Sequence, residues 1–346
     1  MFGGGYDTDQ DGAETPQTDD IGRAIYIVDA TTGERLWWAS SDDTANLVLP
    51  DMTNSIPSDL KVIDINEDGF ADRIYVGDMG GRIWRIDIDN ETNTGADSLA
   101  TGGVFANLGG DTEALNHRFY YPPDVSLIET DTGNALTIAI GSGYRAHPLE
   151  VDNQDRFYMI RDGDVLEPPA DNDDADTLPN YPAYTEANLY DATNNDLAEA
   201  SGDELTTAQS LFSSSQGWYI KLAKSDGTFE GEKVLASSVT FDNKILFTTF
   251  TPVANEQSTS CAPSQGTAKI YAVNLLDATP AADLNPDGEL DVSDRAEYMV
   301  RGGIPPEPTI IFPPDGSDPV VLVGPEIFDS LELSVGLQKT FWRQDE

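Results

Sequence analysis

Nine residues carry the chemistry most readily named from this sequence: Asp64-Ile65-Asn66-Glu67-Asp68-Gly69-Phe70-Ala71-Asp72. Oxygen-bearing side chains stand at loop positions 1, 3, 5 and 9 (Asp64, Asn66, Asp68, Asp72), and the Phe70 carbonyl falls at position 7. Calcium takes about 6–8 oxygens at about 2.3–2.6 Å, and this spacing directs several of them to one point. Gly69 at position 6 permits the reversal between them. Without a cation, three carboxylates drawn so close would repel one another. The twelfth residue is Tyr75, which has no carboxylate to offer, and the chain runs from Asp72 straight into the strand-like Arg73-Ile74-Tyr75-Val76-Gly77. The loop therefore joins two strands, not two helices, and calcium is expected over the alternative of a metal-free Asp-rich turn.

A second loop with related spacing is Asp283-Leu284-Asn285-Pro286-Asp287-Gly288-Glu289-Leu290-Asp291-Val292-Ser293-Asp294. Its candidate ligands are Asp283, Asn285, Asp287, the Glu289 carbonyl, Asp291 and Asp294. An Asp at position 12 is shorter than the Glu of an EF-hand, so a weaker calcium site is expected. The residues after it, 295–301, read as helical, so 283–301 resembles half an EF-hand or one dockerin repeat set into the chain. A third run, Asp7-Thr8-Asp9-Gln10-Asp11-Gly12, starts the same way but meets Thr15 at position 9, and is expected to be a solvated loop.

Composition narrows the function classes. The 346 residues hold 62 Asp plus Glu against 19 Lys plus Arg, a formal net charge of -43. Such a surface repels phosphate backbones and anionic lipid, which excludes nucleic acid and favours cations or a salty medium. The apolar share of 39%, with 30 Gly besides, is enough for a sizeable core. A single cysteine, Cys261, excludes an intramolecular disulfide framework. No apolar run reaches the about 18 residues of a membrane-spanning helix. The Gly-rich acidic start has the look of an internal piece of a longer protein rather than a signal peptide.

Enzyme signals are sparse. His117 and His147 lie far apart, each beside Pro or Asn, and are expected at the surface or packed against a partner rather than as general bases. There is no G-x-S-x-G elbow, phosphate-binding loop or Cys/His arrangement, and no carboxylate pair stands out for glycoside hydrolysis. The chain is read as non-enzymatic.

The elements that must hold these loops recur. Aromatic-led strands begin at residues 25, 83, 157, 218, 270 and 339, spaced by 58, 74, 61, 52 and 69 residues. Shorter strand patterns lie between them at 61–65, 73–77, 125–128, 136–140, 234–240, 244–249, 308–312 and 320–323, and helical character is confined to 198–212 and 292–301. Three or four strands per repeat imply an all-β chain of small antiparallel sheets, a β-propeller, with a β-sandwich as the alternative. Propeller repeats run to about 40–50 residues, so the larger spacings require long inter-strand loops, at 89–110, 170–195 and 251–266.

Two resemblances follow from particular segments. Asp29-Ala30-Thr31-Thr32-Gly33-Glu34-Arg35-Leu36-Trp37 resembles the tryptophan-docking repeat of quinoprotein dehydrogenase propellers, where the Trp packs between blades. A quinoprotein-type periplasmic oxidoreductase is therefore the alternative function, although the vicinal cysteine pair of those enzymes has no counterpart here. More of the chain is similar to the PilC/PilY family of type IV pilus tip-associated adhesins: FGGGYD (2–7), GRAIYIVDATTGERLWW (22–38), SIPSDLKVIDINEDGFADRIYVGDMGGRIWRIDI (55–88), RFYYPPDVSLI (118–128), IAIGSGYRAHP (138–148), QDRFYMIRD (154–162), GWYIKLA (217–223), ILFTTFTP (245–252) and QKTFWRQ (338–344). This resemblance implies a quinoprotein-like, seven-bladed propeller forming the C-terminal domain of a longer surface protein. The chain is then a partial propeller, a C-terminal fragment spanning 1–346 that lacks blades and an adhesive region upstream. It implies that Asp64, Asn66, Asp68, Phe70 and Asp72 match the family's calcium loop, whereas 283–294 rests on spacing alone. The implied role is pilus biogenesis, twitching motility and surface adhesion, outside the cell and pilus-associated. The implied partners are minor pilins and the pilus machinery, with a host or abiotic surface. A third reading is a scaffold that uses calcium for rigidity and binds no surface.

Overall fold

Short strands, hydrogen-bonded into five separate sheets, follow one another in chain order. The computed structural model describes residues 1–89, 95–130, 133–166, 168–169, 180–253, 265–285, 287–315, 317–329, 331 and 333. Cys261 and the aromatic-led segment 339–343 lie outside the described residues. The first sheet holds β1 (Phe2–Gly3), β2 (Ala24–Val28), β3 (Arg35–Ser40) and β4 (Leu47–Val48). The second holds β5 (Lys61–Ile63), β6 (Arg73–Gly77), β7 (Arg82–Ile88) and β8 (Ala100–Asn107). The third is built from β9 (Asp124–Thr130), β10 (Gly133–Gly141), β11 (Arg156–Asp162), β12 (Tyr190–Asp191) and β13 (Gly217–Lys221). The fourth comprises β14 (Lys233–Val234), β15 (Val239–Phe241), β16 (Lys244–Thr251), β17 (Thr267–Asn274) and β18 (Ala296–Tyr298). The fifth is β19 (Thr309–Ile311), β20 (Val320–Val323) and β21 (Glu326–Phe328). Two helices, α1 (Asp196–Glu199) and α2 (Gly202–Ser214), interrupt the third sheet between β12 and β13.

Alternation along single strands decides the architecture. In β6, Ile74 and Val76 pack with the first sheet, while Tyr75 between them packs toward the third. In β11, Tyr158 and Ile160 face the second sheet, and Phe157 and Met159 face the fourth. In β16, Ile245 and Phe247 join the third sheet, and Leu246 joins the fifth. Successive side chains of a strand point to opposite faces, so each inner sheet feeds two cores. Its strands consequently read as continuous apolar runs. Each core joins consecutive sheets, first to second through fourth to fifth, and among the described residues none joins the fifth to the first. A two-layer sandwich has one core, so the sandwich alternative fails. The chain is an all-β, β-propeller-like series of sheets, and among the described residues no sheet is closed.

Four of the aromatic-led strands occupy one structural position, whereas the one beginning at 218 does not: it is β13, the neighbour of β11 in the same sheet, so it starts no new sheet. β2, β7, β11 and β17 each lie beside the outermost antiparallel strand of their sheet, which is β3, β8, β13 or β18. Trp84 and Phe157 are fully buried between sheets, and Phe157 stacks on Phe247 at 3.8 Å, which stacks on Tyr271 at 4.6 Å. Trp37 is 0% exposed in the core between the first and second sheets. The helical reading of 198–212 coincides with α2, but that of 292–301 is corrected. A 3-10 turn, Val292–Arg295, gives way to β18, which pairs antiparallel with β17 from Tyr271↔Ala296 to Lys269↔Tyr298. The second acidic loop is therefore a strand-to-strand connection, not half an EF-hand.

Candidate metal centre

The first acidic loop is the connection between β5 and β6, whose last register pair is Ile63↔Arg73. Its exit is fixed on both sides. Asp72 N–H donates to the Ile63 carbonyl at 2.8 Å, and Ile88 N–H donates to the Asp72 carbonyl at 2.8 Å. Within the loop the oxygens turn inward onto main-chain N–H groups. Asp64 accepts from Gly69 at 2.8 Å and Asp68 at 3.2 Å, and Asn66 Oδ1 accepts from Asp68 at 2.9 Å. Asp68 accepts from Phe70 at 2.8 Å, and Asp72 accepts from Ile65 and Asn66 at 2.7 and 3.2 Å. Gly69 has φ +90 with open space around it, so the backbone conformation alone demands glycine there. Asn66, Asp68 and Asp72 line one cleft of about 430 Å³, and the Phe70 side chain stands 63% exposed away from the core.

The donor set suits calcium: four oxygen-bearing side chains and a carbonyl, no sulfur, no imidazole. The three carboxylates are not among acidic groups lying within 4.8 Å of one another. Among the described residues Glu113, Glu150 and Asp152 form such a group. The loop's own N–H groups take up its carboxylate oxygens.

At the base of this loop lies a buried ion network that the sequence pattern did not single out. Arg73, the residue after Asp72, bonds Asp87 at 2.6 Å and the Asp164 carbonyl at 2.8 Å. Arg85 reaches Asp87 at 2.9 Å, Asp162 at 2.7 Å and the same Asp164 carbonyl at 3.1 Å. Tyr75 donates to Asp162, and Tyr181 donates to Asp87 at 2.7 Å. Arg73, Arg85, Asp87 and Asp162 are 2, 0, 7 and 3% exposed, so the pairing is all that offsets their lost hydration. Burial acts to lower the Arg85 pKa, yet Asp162 and Asp87 raise it above its ordinary value overall. Burial, then Asp162, pushes the Tyr75 phenol well up, so it remains a neutral donor. One clue was available in sequence. Arg85 and Asp87 alternate with Ile83 along one face of a strand that should be apolar on both faces.

The second loop joins β17 to β18. Two of its contacts repeat the first loop position for position: Asp283 accepts from Gly288 N–H at 3.2 Å, and Asp287 accepts from Glu289 N–H at 2.9 Å. The far end differs. Asp291 caps the 3-10 turn, accepting from Ser293 N–H at 2.8 Å and from its hydroxyl at 2.6 Å. Asp294 is 0% exposed and accepts from Asn285 N–H at 3.1 Å and Asp291 N–H at 2.9 Å. Asn285 turns its amide onto Ser293 Oγ at 2.5 Å. Glu289 lies exposed at the tip.

Two further expectations are corrected. The run 7–12 is not a solvated loop. Thr8–Gly12 forms a 3-10 helix capped by Asp7, which is 3% exposed and accepts from the N–H groups of Asp9, Asp20 and Ile21 at 3.0, 2.8 and 3.1 Å. Those backbone bonds hold the Asp7 carboxyl below the usual carboxylate range. His117 is not at the surface but 1% exposed, between the Leu108 carbonyl at 2.7 Å, the Gln154 carbonyl at 3.1 Å and the Tyr158 hydroxyl at 2.9 Å. Burial lowers its pKa. His147 is exposed, against the Tyr144 ring at 5.1 Å.

Fold and loop together define a class: a series of propeller-like sheets carrying an oxygen-rich acidic loop between two strands. No protein-family model matches the chain, and no curated protein matches it. Among solved structures it is similar to the C-terminal domain of PilY1 from Pseudomonas aeruginosa. The TM-score is 0.53 and the identity 18%, over 90% of this chain and 67% of that one. At that identity the likeness is one of fold. No helix among the described residues is long and apolar enough to cross a membrane.

Proposed function

We propose that the chain is a non-enzymatic, calcium-binding propeller of a type IV pilus-associated adhesin, acting outside the cell in pilus biogenesis, twitching motility and surface adhesion. The observation that carries this reading is the 64–72 loop: its side-chain oxygens all turn inward on a fold similar to the PilY1 C-terminal domain. Calcium held by Asp64, Asn66, Asp68, Asp72 and the Phe70 carbonyl would neutralise the carboxylates and tie β5 to β6. The second loop holds a weaker calcium through Asp283, Asn285, Asp287 and the Glu289 carbonyl, with Asp291 and Asp294 partly committed to the turn. Minor pilins of the pilus machinery are the proposed partners, and a host or abiotic surface is the proposed target. Calorimetric titration with calcium tests the metal. Binding should be strong in the parent and absent from the tighter class in Asp64→Ala/Asp68→Ala, and an unchanged heat in that variant would remove the loop from the reading.

A further inference from the structure

The polar atoms that meet the buried His117 ring are acceptors. Nδ1 lies 2.7 Å from the Leu108 carbonyl, and Nε2 lies 3.1 Å from the Gln154 carbonyl. The Tyr158 hydroxyl stands 2.9 Å from Nδ1, but it donates its own proton to Glu186 Oε1 at 2.7 Å. A neutral imidazole has one N–H and one lone pair, and a carbonyl has no proton to give. In either tautomer, therefore, one of the two carbonyls faces a lone pair. An imidazolium donates from both nitrogens and leaves neither carbonyl opposed. The two carbonyls belong to consecutive sheets: Leu108 directly follows β8 of the second, and Gln154 just precedes β11 of the third.

We propose that His117 is a proton-operated clamp between the second and third sheets: the neutral ring bonds one of these carbonyls, and the imidazolium bonds both. The charges around the ring bear on that second proton. Asp155, at the entry to β11, is fully buried, with Oδ1 on the Ser142 hydroxyl at 2.7 Å and Oδ2 without a hydrogen-bond partner. Glu186 reaches the ring through Tyr158 and also pairs with Arg156, whose own charge opposes an imidazolium. Burial, then Glu186, pushes the Tyr158 phenol well up, so it stays neutral throughout. For His117 itself, burial outweighs the upward pull of Asp155, the Leu108 carbonyl and Glu186, and holds its pKa below the ordinary value. The clamp is thus half-made near neutral pH and completed in acid. The unfolded ring takes its proton first, so stability falls as pH drops through about 6.5 and levels off once the folded ring is protonated.

The test is NMR of the whole chain, carrying His147→Gln so that a single histidine remains, titrated downward from about pH 8. The ring nitrogens should titrate with one midpoint below about 6.5, and both should be protonated on its acid side while the amide spectrum stays dispersed. The carbonyl carbon resonance of Leu108 or of Gln154 should move with that same midpoint, which a histidine that merely fills space would not produce. Glu186→Gln, at a partly exposed position, should lower the midpoint by about 1 unit. Asp155→Asn should lower it in the same sense and supplies the readout if Glu186→Gln does not fold. A ring that stays neutral until the amide spectrum collapses would overturn the proposal. So would a midpoint at which neither carbonyl moves, or one that every folded variant leaves unchanged.

Discussion

The two acidic loops begin alike and end differently, and the ends decide what each is for. In both, the first Asp accepts from the glycine N–H five residues on, and the fifth residue accepts from the seventh. The first loop then closes with Asp72 at position 9, and the next residue, Arg73, enters a network of buried charges shared between the second and third sheets. The second closes three residues later, on a carboxylate that is itself buried and spent on backbone N–H groups. Spacing alone treats the two as equivalent. The anchoring shows one loop that closes at position 9 on a carboxylate bonded to the N–H groups of Ile65 and Asn66, and one that closes at position 12 on a carboxylate bonded to those of Asn285 and Asp291.

The sharpest way to break the comparison is at the base of the first loop. Asp162→Ala would remove one of the two carboxylates that hold buried Arg85 and leave Asp87 to serve both Arg73 and Arg85, and losing one member of a buried pair costs about 3–5 kcal/mol. Chemical denaturation should show this loss with or without calcium, and a loss below about 1 kcal/mol would mean the network contributes no more than a surface pair. Calcium itself comes next. Binding to the folded form alone adds about 2.7 kcal/mol at a hundredfold excess over the dissociation constant. Asp68→Ala should remove most of that gain, whereas Asp287→Ala should leave it, as melting curves with and without calcium would reveal.

Asp294→Ala probes the other closure. It removes the acceptor of the part-buried N–H groups of Asn285 and Asp291, at about 0.5–1.5 kcal/mol for each hydrogen bond lost, and the loss should appear in calcium-free protein. If the penalty appears only with calcium, Asp294 is a ligand first and a structural acceptor second. The smallest effect is electrostatic. The Ser293 hydroxyl and then its N–H hold the half-buried Asp291 carboxyl below its ordinary pKa. A depressed folded-state pKa gives stability that is present above the unfolded value and lost as pH falls through the folded one. Ser293→Ala should move the Asp291 titration, followed by NMR, back toward the ordinary range and tighten calcium at the second loop. A titration that stays put would show that Ser293 does not restrain Asp291.

Much of the fold was legible because the inner strands are buried on both faces. Runs such as Phe157–Ile160 and Ile245–Phe247 are apolar throughout, so their type was plain from sequence. The segment 292–301 was misread for a physical reason. Asp291 and Asp294 form a capping box that starts a helical turn, but pairing of Ala296–Tyr298 with β17 overrides its continuation. The strand-to-strand placing of the first acidic loop was legible because its oxygen-bearing residues lie within nine consecutive positions that run straight into a strand. The network beneath it was not, because Arg85 and Asp162 lie 77 residues apart and meet only when consecutive sheets pack. His117 was misplaced for a related cause: its partners, the Leu108 and Gln154 carbonyls and the Tyr158 hydroxyl, converge on it from three different segments.

The most direct measurement is calcium titration calorimetry on the parent, Asp64→Ala/Asp68→Ala and Asp287→Ala, with native mass spectrometry to count bound ions. The expected result is two classes of site, the tighter lost only in Asp64→Ala/Asp68→Ala and the weaker only in Asp287→Ala. Identical heats and ion counts in the parent and Asp64→Ala/Asp68→Ala would contradict the assignment of the 64–72 loop as the calcium site of this propeller-like chain.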